Sequence, residues 1–402
     1  MRFFLGGVPF GCDNIGDEAI LECIVSIIRR NFPSASITVS TAKPKETARL
    51  LGVDCVELFA FDGKRFDGLK DALKKCDVFM WAGATGLSDY PDTALKIISA
   101  ALDCGLKTVV WGVGMNSVFN PAFFKLGGKK LFLCSVLKKM SLSMLDFQRI
   151  AEDIKIGGVK RRLRDTLSKC DLIVVRDEPS ACVLETCGLS RIAVGADSAL
   201  LLKPSPLDKT GLPANMISTL KSDDFEKIGI CVSAQSAIKR LDDFALCIDE
   251  LLQKPSRRAF FIPMNPVTDF ALMDKLRDSL KFRDRTFIVE NCENPSDVEA
   301  IAEYCSVVVS SRLHLLILSA NVGTPIVGIS RGSKVDNFLA NFGLSSVGNV
   351  DDCDFDALKK QVEGFLSDSS EFKAECGLVC RRLLVRLSEA EDKLRAVLGG
   401  EE

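Results

Sequence analysis

Short apolar runs alternate with amphipathic stretches along almost all of this 402-residue chain, and no other feature restricts its fold as strongly. In the first half the runs are RFFLGGV, SITVST, DVFMWAG, TVVWGVG and LIVVRD, each followed by a helix-like segment. This alternation is typical of parallel β-sheets covered by helices on both faces. The first helix-like segment predicts one apolar face, formed by Ala19, Ile20, Cys23, Ile24, Ile27 and Ile28.

The alternation breaks once, between Leu202 and Lys227, where Pro, Ser, Asp and Lys are frequent. It then resumes with IGICVS, RAFFIPM, TFIVE, SVVVSS and TPIVGIS. A chain of this length also exceeds what one hydrophobic core usually supports. We therefore predict two α/β domains with a cleft between them. The predicted parts are an N-terminal domain over residues 1–203, a linker over 204–227, a C-terminal domain over 228–370, and a helix over 371–402 that could pack back on the first domain.

Composition excludes several classes of protein. The 52 Lys and Arg against 54 Asp and Glu give a formal net charge of -2, which argues against a nucleic-acid partner. The 16 cysteines form no C-x-x-C pair and no zinc-type spacing with histidine, so we predict reduced thiols and no metal. Met1 leads directly into a strand-like run, and no apolar run reaches the roughly 20 residues of a membrane span. We expect a soluble, cytoplasmic protein.

One segment, from Phe123 to Asp165, departs from the alternating pattern because it mixes basic residues with Phe and Leu. The interpretation we favour is an amphipathic helical insertion with a solvated basic face. The alternative is a patch that meets a membrane surface or a lipid-linked acceptor. Contact with a membrane would then be peripheral at most.

Ligands of open parallel sheets bind beyond the carboxyl ends of the strands, and the first such end reads GGVPFGCDNIGDEA. It matches neither a dinucleotide fingerprint nor a P-loop. Asn14, Asp17 and Glu18 suit a helix start, and capping with dipole complementation would by itself explain them. Alternatively, these side chains bind sugar hydroxyls or supply a general acid or base.

The chain's one histidine, His314, stands two residues after Arg312 in SSRLHLLILSAN, between a strand-like run and a helix-like run. We predict that Ser310 or Ser311 caps this helix. Free backbone N–H groups, a guanidinium and an imidazole would then converge on one anion site. A satisfied core histidine is the alternative, but the neighbouring arginine and the strand-end position favour the anion site.

Two further strand ends carry cations. LIVVRDEP places Arg176 and Asp177 after a buried strand, where a simple surface ion pair is the alternative to a functional role. GISRGSKV presents Arg331, Ser333 and Lys334 one strand after His314. Because adjacent parallel strands end at the same edge of a sheet, this cluster should lie beside Arg312.

Three segments together, CDNIGDEAIL, VVRDEPSACVLETCG and SSRLHLLILSANVGTPIVGISRGSKVDNFLANFG, resemble the polysaccharide pyruvyl transferase family in sequence and order. These enzymes move pyruvate from phosphoenolpyruvate onto a sugar as a ketal. The resemblance implies two Rossmann-like domains facing each other across a cleft, a GT-B-like fold. It also implies donor binding by Arg312, Leu313, His314 and Arg176, and a cleft-lining loop that contains Asn14, Gly16, Asp17 and Glu18. WAGATGLSD departs from the family, in which a run of glycines is expected.

Phosphoenolpyruvate carries a phosphate and a carboxylate, so its site needs at least two cations. Arg312 and Arg176 can bind it bidentately, and Arg331 and Lys334 can complete the neutralisation of charge. We therefore expect no cofactor, with phosphoenolpyruvate as donor substrate and a saccharide, free or lipid-linked, as acceptor. The sequence leaves the oligomeric state open.

The reaction requires a proton for the donor's methylene carbon and a base for the attacking hydroxyl. An imidazole can carry a proton at neutral pH, so His314 is the candidate acid, toward either the donor or the departing phosphate. Asp17 or Glu18 could deprotonate the sugar hydroxyl. Two alternatives remain: a GT-B glycosyltransferase that holds a nucleotide-sugar diphosphate with the same cations, and a non-catalytic relative that binds a carbohydrate or an anion.

Overall fold

The protein was examined as a computed structural model, which describes residues 1–59, 66, 68–117, 119–120, 124–125, 134, 146–290, 292 and 294–399. A parallel sheet forms the centre of the first domain. Its strands are β1 Arg2–Phe10, β2 Ser36–Thr41, β3 Asp54–Glu57, β4 Val78–Ala82, β5 Lys107–Val113, β6 Leu172–Val175 and β7 Ala193–Val194. Within the described residues their order is β3-β2-β1-β4-β5-β6-β7.

A second parallel sheet forms the centre of the second domain. Its strands are β8 Glu226–Cys231, β9 Arg257–Phe261, β10 Thr286–Ile288, β11 Val307–Ser310 and β12 Ile326–Gly328, in the order β10-β9-β8-β11-β12. The short strands β13 Gly348–Asn349 and β14 Asp352–Cys353 pair antiparallel beside it. Each of the ten apolar runs overlaps one strand of the two parallel sheets, which confirms the predicted two-domain α/β fold.

Helices cover both sheets, as strand–helix–strand connections require. The face predicted for α1 is buried at all six positions. The helices of the described residues are α1 Ile15–Asn31, α2 Pro44–Leu51, α3 Leu69–Leu73, α4 Gly86–Asp89, α5 Pro91–Asp103, α6 Phe147–Leu167, α7 Glu178–Thr186, α8 Ala214–Lys221, α9 Leu241–Leu251, α10 Thr268–Asp278, α11 Pro295–Glu303, α12 Leu313–Asn321, α13 Ser333–Ala340, α14 Phe355–Ser367 and α15 Ser370–Leu398.

The segment between the two sheets is more regular than its composition indicates. It contains a 3-10 turn, Leu207–Lys209, and the helix α8, whose Met216 and Leu220 are buried. Pro213 stands at the N-cap of α8, where its missing N–H costs nothing. Pro213, one of the prolines that suggested an irregular linker, therefore marks the start of a packed helix.

The last helix, α15, contacts both domains. Glu391 is buried and accepts hydrogen bonds from Arg30 Nη2 at 2.6 Å and Asn31 Nδ2 at 2.7 Å, both on α1. At its other end, the Phe372 ring lies 5.9 Å from the Phe342 ring of the second domain. The chain thus returns from the second domain to the surface of the first.

The basic and apolar segment 123–165 is described only in part. Residues 123, 126–133 and 135–145 lie outside the described residues, and residues 147–165 belong to α6. On α6, Ile150 and Ile154 are exposed apolar side chains. Among the described helices, none combines the length and the apolar character that a membrane crossing demands.

Candidate active site

A pocket of about 240 Å³ lies where the carboxyl ends of the two sheets face each other. The loops after β1, β4 and β6 line it from the first domain, and those after β9, β11 and β12 line it from the second. The structure brings together eight of the ten predicted site residues here: Asn14, Asp17, Arg176, Arg312, Leu313, His314, Arg331 and Lys334.

The domains are joined directly around this pocket. The backbone N–H of Ile15, at the start of α1, donates to the carbonyl of Met264 at 3.0 Å. The N–H of Ser117 donates to Ser333 Oγ, at the start of α13, at 3.2 Å. These two bonds fix the relative position of the helix starts that carry the site.

Arg312 stands at the N-cap of α12, so the predicted serine cap is wrong. Ser310 Oγ instead accepts from the N–H of Arg312 and donates to its carbonyl, both at 2.9 Å. Ser311 Oγ accepts from the N–H of Ser233, after the neighbouring strand β8, at 3.0 Å. Both hydroxyls are used to hold the end of the sheet, and the free end of the helix faces the pocket.

The guanidinium of Arg312 is held by a carboxylate that the sequence did not single out. Asp269, in the first turn of α10, accepts from Arg312 Nε at 2.9 Å and from Nη2 at 2.8 Å. Asp269 is fully buried and also accepts from the N–H of Ala234 at 2.9 Å. Such a bidentate charged pair fixes the plane of the guanidinium.

Arg176 is buried, so the interpretation of a surface pair with Asp177 is wrong. Its Nε lies 3.3 Å from Asp177 Oδ2, and its Nη1 lies 3.5 Å from Asp197 Oδ2. The guanidinium also lies against Gly114, where a Cβ would come within 2.6 Å of its Nε. Glycine at this position leaves the space that the arginine occupies.

His314 lies in the first turn of α12 and lines the pocket, so it is not a core filler. Its Nε2 is buried and lies 3.6 Å from Asp197 Oδ2. The ring packs against Gly16 of α1, where any Cβ would overlap the imidazole. Gly16 was expected to bind substrate, but it does not line the pocket; it makes room for the histidine.

Asn14 and Asp17 face the pocket as a hydrogen-bonded pair. Asn14 Nδ2 donates to Asp17 Oδ2 at 2.6 Å, and the Asn14 side chain makes no capping bond to α1. Asn14 thus occupies the N-cap position of α1, as predicted, but its side chain does not cap the helix. Burial raises the pKa of the Asp17 carboxyl, against the opposing effects of His314, Asn14 and Lys334.

Glu18 does not join this group. It lines a neighbouring pocket of about 360 Å³, and its Oε1 accepts from the N–H of Gly11 at 2.7 Å. Successive helical residues point about 100° apart, so Asp17 and Glu18 face different pockets on either side of the same loop. Burial raises the pKa of Glu18 to about 7. It lies on the wrong side of the loop to act on a substrate beside His314.

Arg331 and Lys334 are the two pocket cations without a carboxylate partner among the described residues. Arg331 Nε is buried with no hydrogen-bond partner there. Desolvation, together with Arg312, lowers the pKa of Arg331 to about 10. Desolvation, Arg331 and Arg176 lower the pKa of Lys334 to about 8. Both cations thus face the pocket without a carboxylate in ion-pair contact among the described residues, and the charge of Asp89, which lines the same pocket, opposes both pKa shifts only in part.

The pocket loop after β4 keeps an unusual backbone shape. Gly83 and Ala84 both have positive φ, 86° and 56°, and the Ala84 carbonyl accepts from the N–H of Gly114 at 2.9 Å. A left-handed conformation costs a non-glycine residue about 1–2 kcal/mol. Ala84 thus keeps the conformation for which a run of glycines would be expected.

The lowered pKa of Lys334 predicts how the binding of an anion in the pocket should depend on pH. A lysine with a pKa of about 8 is positive below that pH and neutral above it. Because a phosphate is already doubly ionised there, with a second pKa of about 6, the affinity for phosphoenolpyruvate should fall as the pH rises through 8. Calorimetric titration between pH 7 and 9.5 measures this.

The matched variant is Lys334→Arg, whose guanidinium stays charged across that range. Its affinity, whatever the absolute value, should vary little between pH 7 and 9.5. The same decline in both proteins would assign the effect to another group.

No metal site accompanies these residues: within the described ranges, no three His, Cys, Asp or Glu side chains are grouped so that they could hold an ion. The positive charges that line the anion pocket are those of arginine and lysine side chains.

Two Rossmann-like domains with their strand ends facing across a pocket define a GT-B-like protein. The fold is similar to that of Anabaena HepE in complex with UDP-glucose, with a TM-score of 0.58, 11% identity, and coverage of 98% of this chain and 99% of that one. It is also similar to a putative UDP-N-acetylglucosamine 2-epimerase from Listeria monocytogenes, with a TM-score of 0.60, 10% identity, and coverage of 96% and 94%. At this identity the likeness shows the fold alone.

The family is shown by sequence. The model of the polysaccharide pyruvyl transferase family matches residues 14–333, which include every predicted site residue except Lys334. The amylovoran biosynthesis protein AmsJ of Erwinia amylovora is 22% identical over 399 residues, which cover 90% of this chain and 92% of that protein. The chain belongs to the polysaccharide pyruvyl transferase family.

Proposed function

We propose that this protein transfers pyruvate from phosphoenolpyruvate to a sugar of an extracellular polysaccharide or its precursor, forming a ketal. The observation that carries the proposal is the charge balance of the pocket. Asp197 and Asp269 compensate Arg176 and Arg312, while Arg331 and Lys334 have no carboxylate in contact within the described residues. Phosphoenolpyruvate brings one phosphate and one carboxylate, to which these two unpaired cations can bind.

The size of the pocket favours a small donor. Its volume of about 240 Å³ is below the roughly 300–1,000 Å³ of sites for drug-sized ligands. A three-carbon donor fits such a volume better than a nucleotide-sugar does.

In the proposed reaction, the methylene carbon of the donor gains one proton from the His314 imidazolium, and positive charge develops on the adjacent carbon. The first sugar hydroxyl attacks that carbon and gives up its proton to Asp17. A second hydroxyl of the same sugar then displaces the phosphate and closes the ketal, and its proton leaves with the phosphate. One phosphoenolpyruvate and two hydroxyls thus give one ketal and one inorganic phosphate.

The two acid–base groups come from different domains. Asp17 lies on α1 of the first domain, and its raised pKa brings a carboxylate closer to the range in which it works as a base. His314 lies on α12 of the second domain, beside the donor cations. The acceptor should therefore enter along the first domain.

The test is to incubate the protein with phosphoenolpyruvate and a panel of exopolysaccharide oligosaccharides, free and lipid-linked. We expect a product that is heavier than the acceptor by one pyruvyl ketal, as measured by mass spectrometry. One inorganic phosphate should be released per product, as measured by a phosphate assay. Calorimetry with phosphoenolpyruvate and with UDP-sugars is the companion measurement. Binding of a UDP-sugar without binding of phosphoenolpyruvate would point to a glycosyltransferase and contradict the proposal.

A further inference from the structure

Asp197 is a buried carboxylate that no sequence motif drew attention to. It follows β7 and is the N-cap of a 3-10 turn, Ser198–Leu201, where its Oδ1 accepts from the N–H of Ala199 at 3.1 Å. That bond fixes the carboxylate and leaves Oδ2 pointing toward the site. Only 6% of the residue is exposed.

The free oxygen of Asp197 lies between two functional side chains. Oδ2 is 3.6 Å from His314 Nε2 and 3.5 Å from Arg176 Nη1. His314 comes from the second domain and Arg176 from the first, so one oxygen faces cationic groups of both domains. The opposite side of the imidazole packs on Gly16, which leaves the ring little freedom to turn away.

The two carboxylates near His314 differ in their ionisation. Burial would raise the pKa of Asp197, but the charges of His314 and Arg176 and the hydrogen bond from the N–H of Ala199 outweigh it, and its pKa is lowered. Burial raises the pKa of Asp17, on the other side. Asp197 is therefore the carboxylate that stays negative beside the imidazole.

We propose that Asp197 is a positioning residue that orients the His314 imidazole by facing its Nε2, while it holds Arg176 through the same oxygen. This inference rests on the proposed function for its catalytic meaning, because His314 is the proposed acid. Asp197 faces the imidazole Nε2, and the other charged groups that line the pocket beside His314 include Asp17 on α1, Arg176 after β6, Arg312 at the start of α12 and Lys334 on α13. The site thus sets one fixed negative charge against several cations.

The chain offers a direct test because it contains a single histidine. In protein without a polyhistidine tag, every imidazole signal in a nuclear magnetic resonance titration belongs to residue 314 and needs no assignment. Asp197→Asn removes the charge with almost no change of shape. The midpoint of the imidazole titration should move to lower pH by about one unit or more, since a carboxylate at this distance favours the charged imidazole.

Asp177→Asn is the matched control. Asp177 contacts Arg176 Nε at 3.3 Å, as Asp197 contacts Nη1, and its Oδ1 caps α7 by accepting from the N–H of Ser180, which asparagine can also do. This variant should leave the midpoint where it is. Asp197→Ser keeps an oxygen for the Ala199 N–H and replaces Asp197→Asn if that protein does not fold.

Two readouts separate this inference from the proposed function. If the wild-type protein transfers pyruvate, Asp197→Asn should lower kcat about 100-fold or more and move the basic limb of the kcat–pH profile to lower pH. Asp177→Asn should instead act mainly on KM for phosphoenolpyruvate. Lack of turnover in the wild type would contradict the proposed function alone, because the titration needs no substrate. A midpoint that is the same in wild type, Asp197→Asn and Asp197→Ser would overturn the role of Asp197.

Discussion

Replacing His314 with glutamine is expected to lower kcat for pyruvyl transfer by about 10²–10⁴-fold, the usual contribution of a positioned general acid. Glutamine fills much of the same space beside Gly16 and can still meet Asp197, but it cannot release a proton to the donor. The measurement is the initial rate of phosphate release at saturating phosphoenolpyruvate and acceptor.

Binding must be measured alongside the rate. Because Arg176, Arg312, Arg331 and Lys334 remain, His314→Gln should bind phosphoenolpyruvate within about tenfold of the wild type, as hydrogen bonds to charged groups contribute roughly 1.5–3 kcal/mol each and most are kept. Its thermal unfolding should also stay close to that of the wild type. Undiminished turnover by this variant would remove His314 from the mechanism.

Replacing Arg331 with methionine is expected to weaken phosphoenolpyruvate binding by about 10- to 100-fold while the free protein becomes more stable. The loss follows from one missing charged contact, which contributes roughly 1.5–3 kcal/mol. The gain, on the order of 1 kcal/mol in the free energy of unfolding, follows because Nε is buried with no partner among the described residues. Calorimetry and denaturant unfolding measure the two effects on the same samples.

Arg312→Met is the matched comparison. It should weaken donor binding as well, but it leaves the buried carboxylate of Asp269 without its partner. Breaking a buried pair in this way costs about 3–5 kcal/mol of stability. If the two variants lose a similar amount of affinity for phosphoenolpyruvate but change the free energy of unfolding in opposite directions, the charge of Arg331 serves ligand binding and not the fold. Destabilisation by Arg331→Met would show that its charge serves the fold instead.

The fold was predictable because the strands of a parallel sheet with helices on both faces are buried on both sides. Such strands appear in the sequence as short apolar runs. Ten strands were recognised in this way, whereas β3 and β7 were not. β3, with the sequence DCVE, has exposed charged ends, and β7 has only two residues. Chemically mixed or very short strands carry too little apolar pattern to be recognised.

The cations of the site were predictable for a different reason. Arg176, Arg312, Arg331 and Lys334 all follow strands, and strand ends converge at one edge of a parallel sheet. Two of the carboxylate partners were missed, namely Asp197 of Arg176 and Asp269 of Arg312. Asp197 follows the unrecognised β7, and Asp269 lies inside a helix turn, where sequence gives no sign of which way a side chain points.

The misassigned residues show the limit of motif reasoning. Gly16 and Glu18 flank Asp17 in the stretch NIGDEA, but of these three residues only Asp17 lines the pocket that contains His314. Successive side chains of a helix point about 100° apart, so the side chain of Glu18 enters the neighbouring pocket instead. A sequence motif can therefore identify the helix that lies beside a site, whereas the geometry of the helix determines which of its side chains line that site.

The bonds from Ile15 to Met264 and from Ser117 to Ser333 span the two halves of the molecule beside the reacting groups. If the halves swing apart to admit a long sugar chain, Asp17 leaves with one half and His314 with the other. In the open molecule the general acid would be separated from the general base. Water that enters with the acceptor would then meet a site in which the catalytic groups are not yet assembled. Closure around the correct acceptor would assemble the chemistry and protect the donor from wasteful hydrolysis in a single movement.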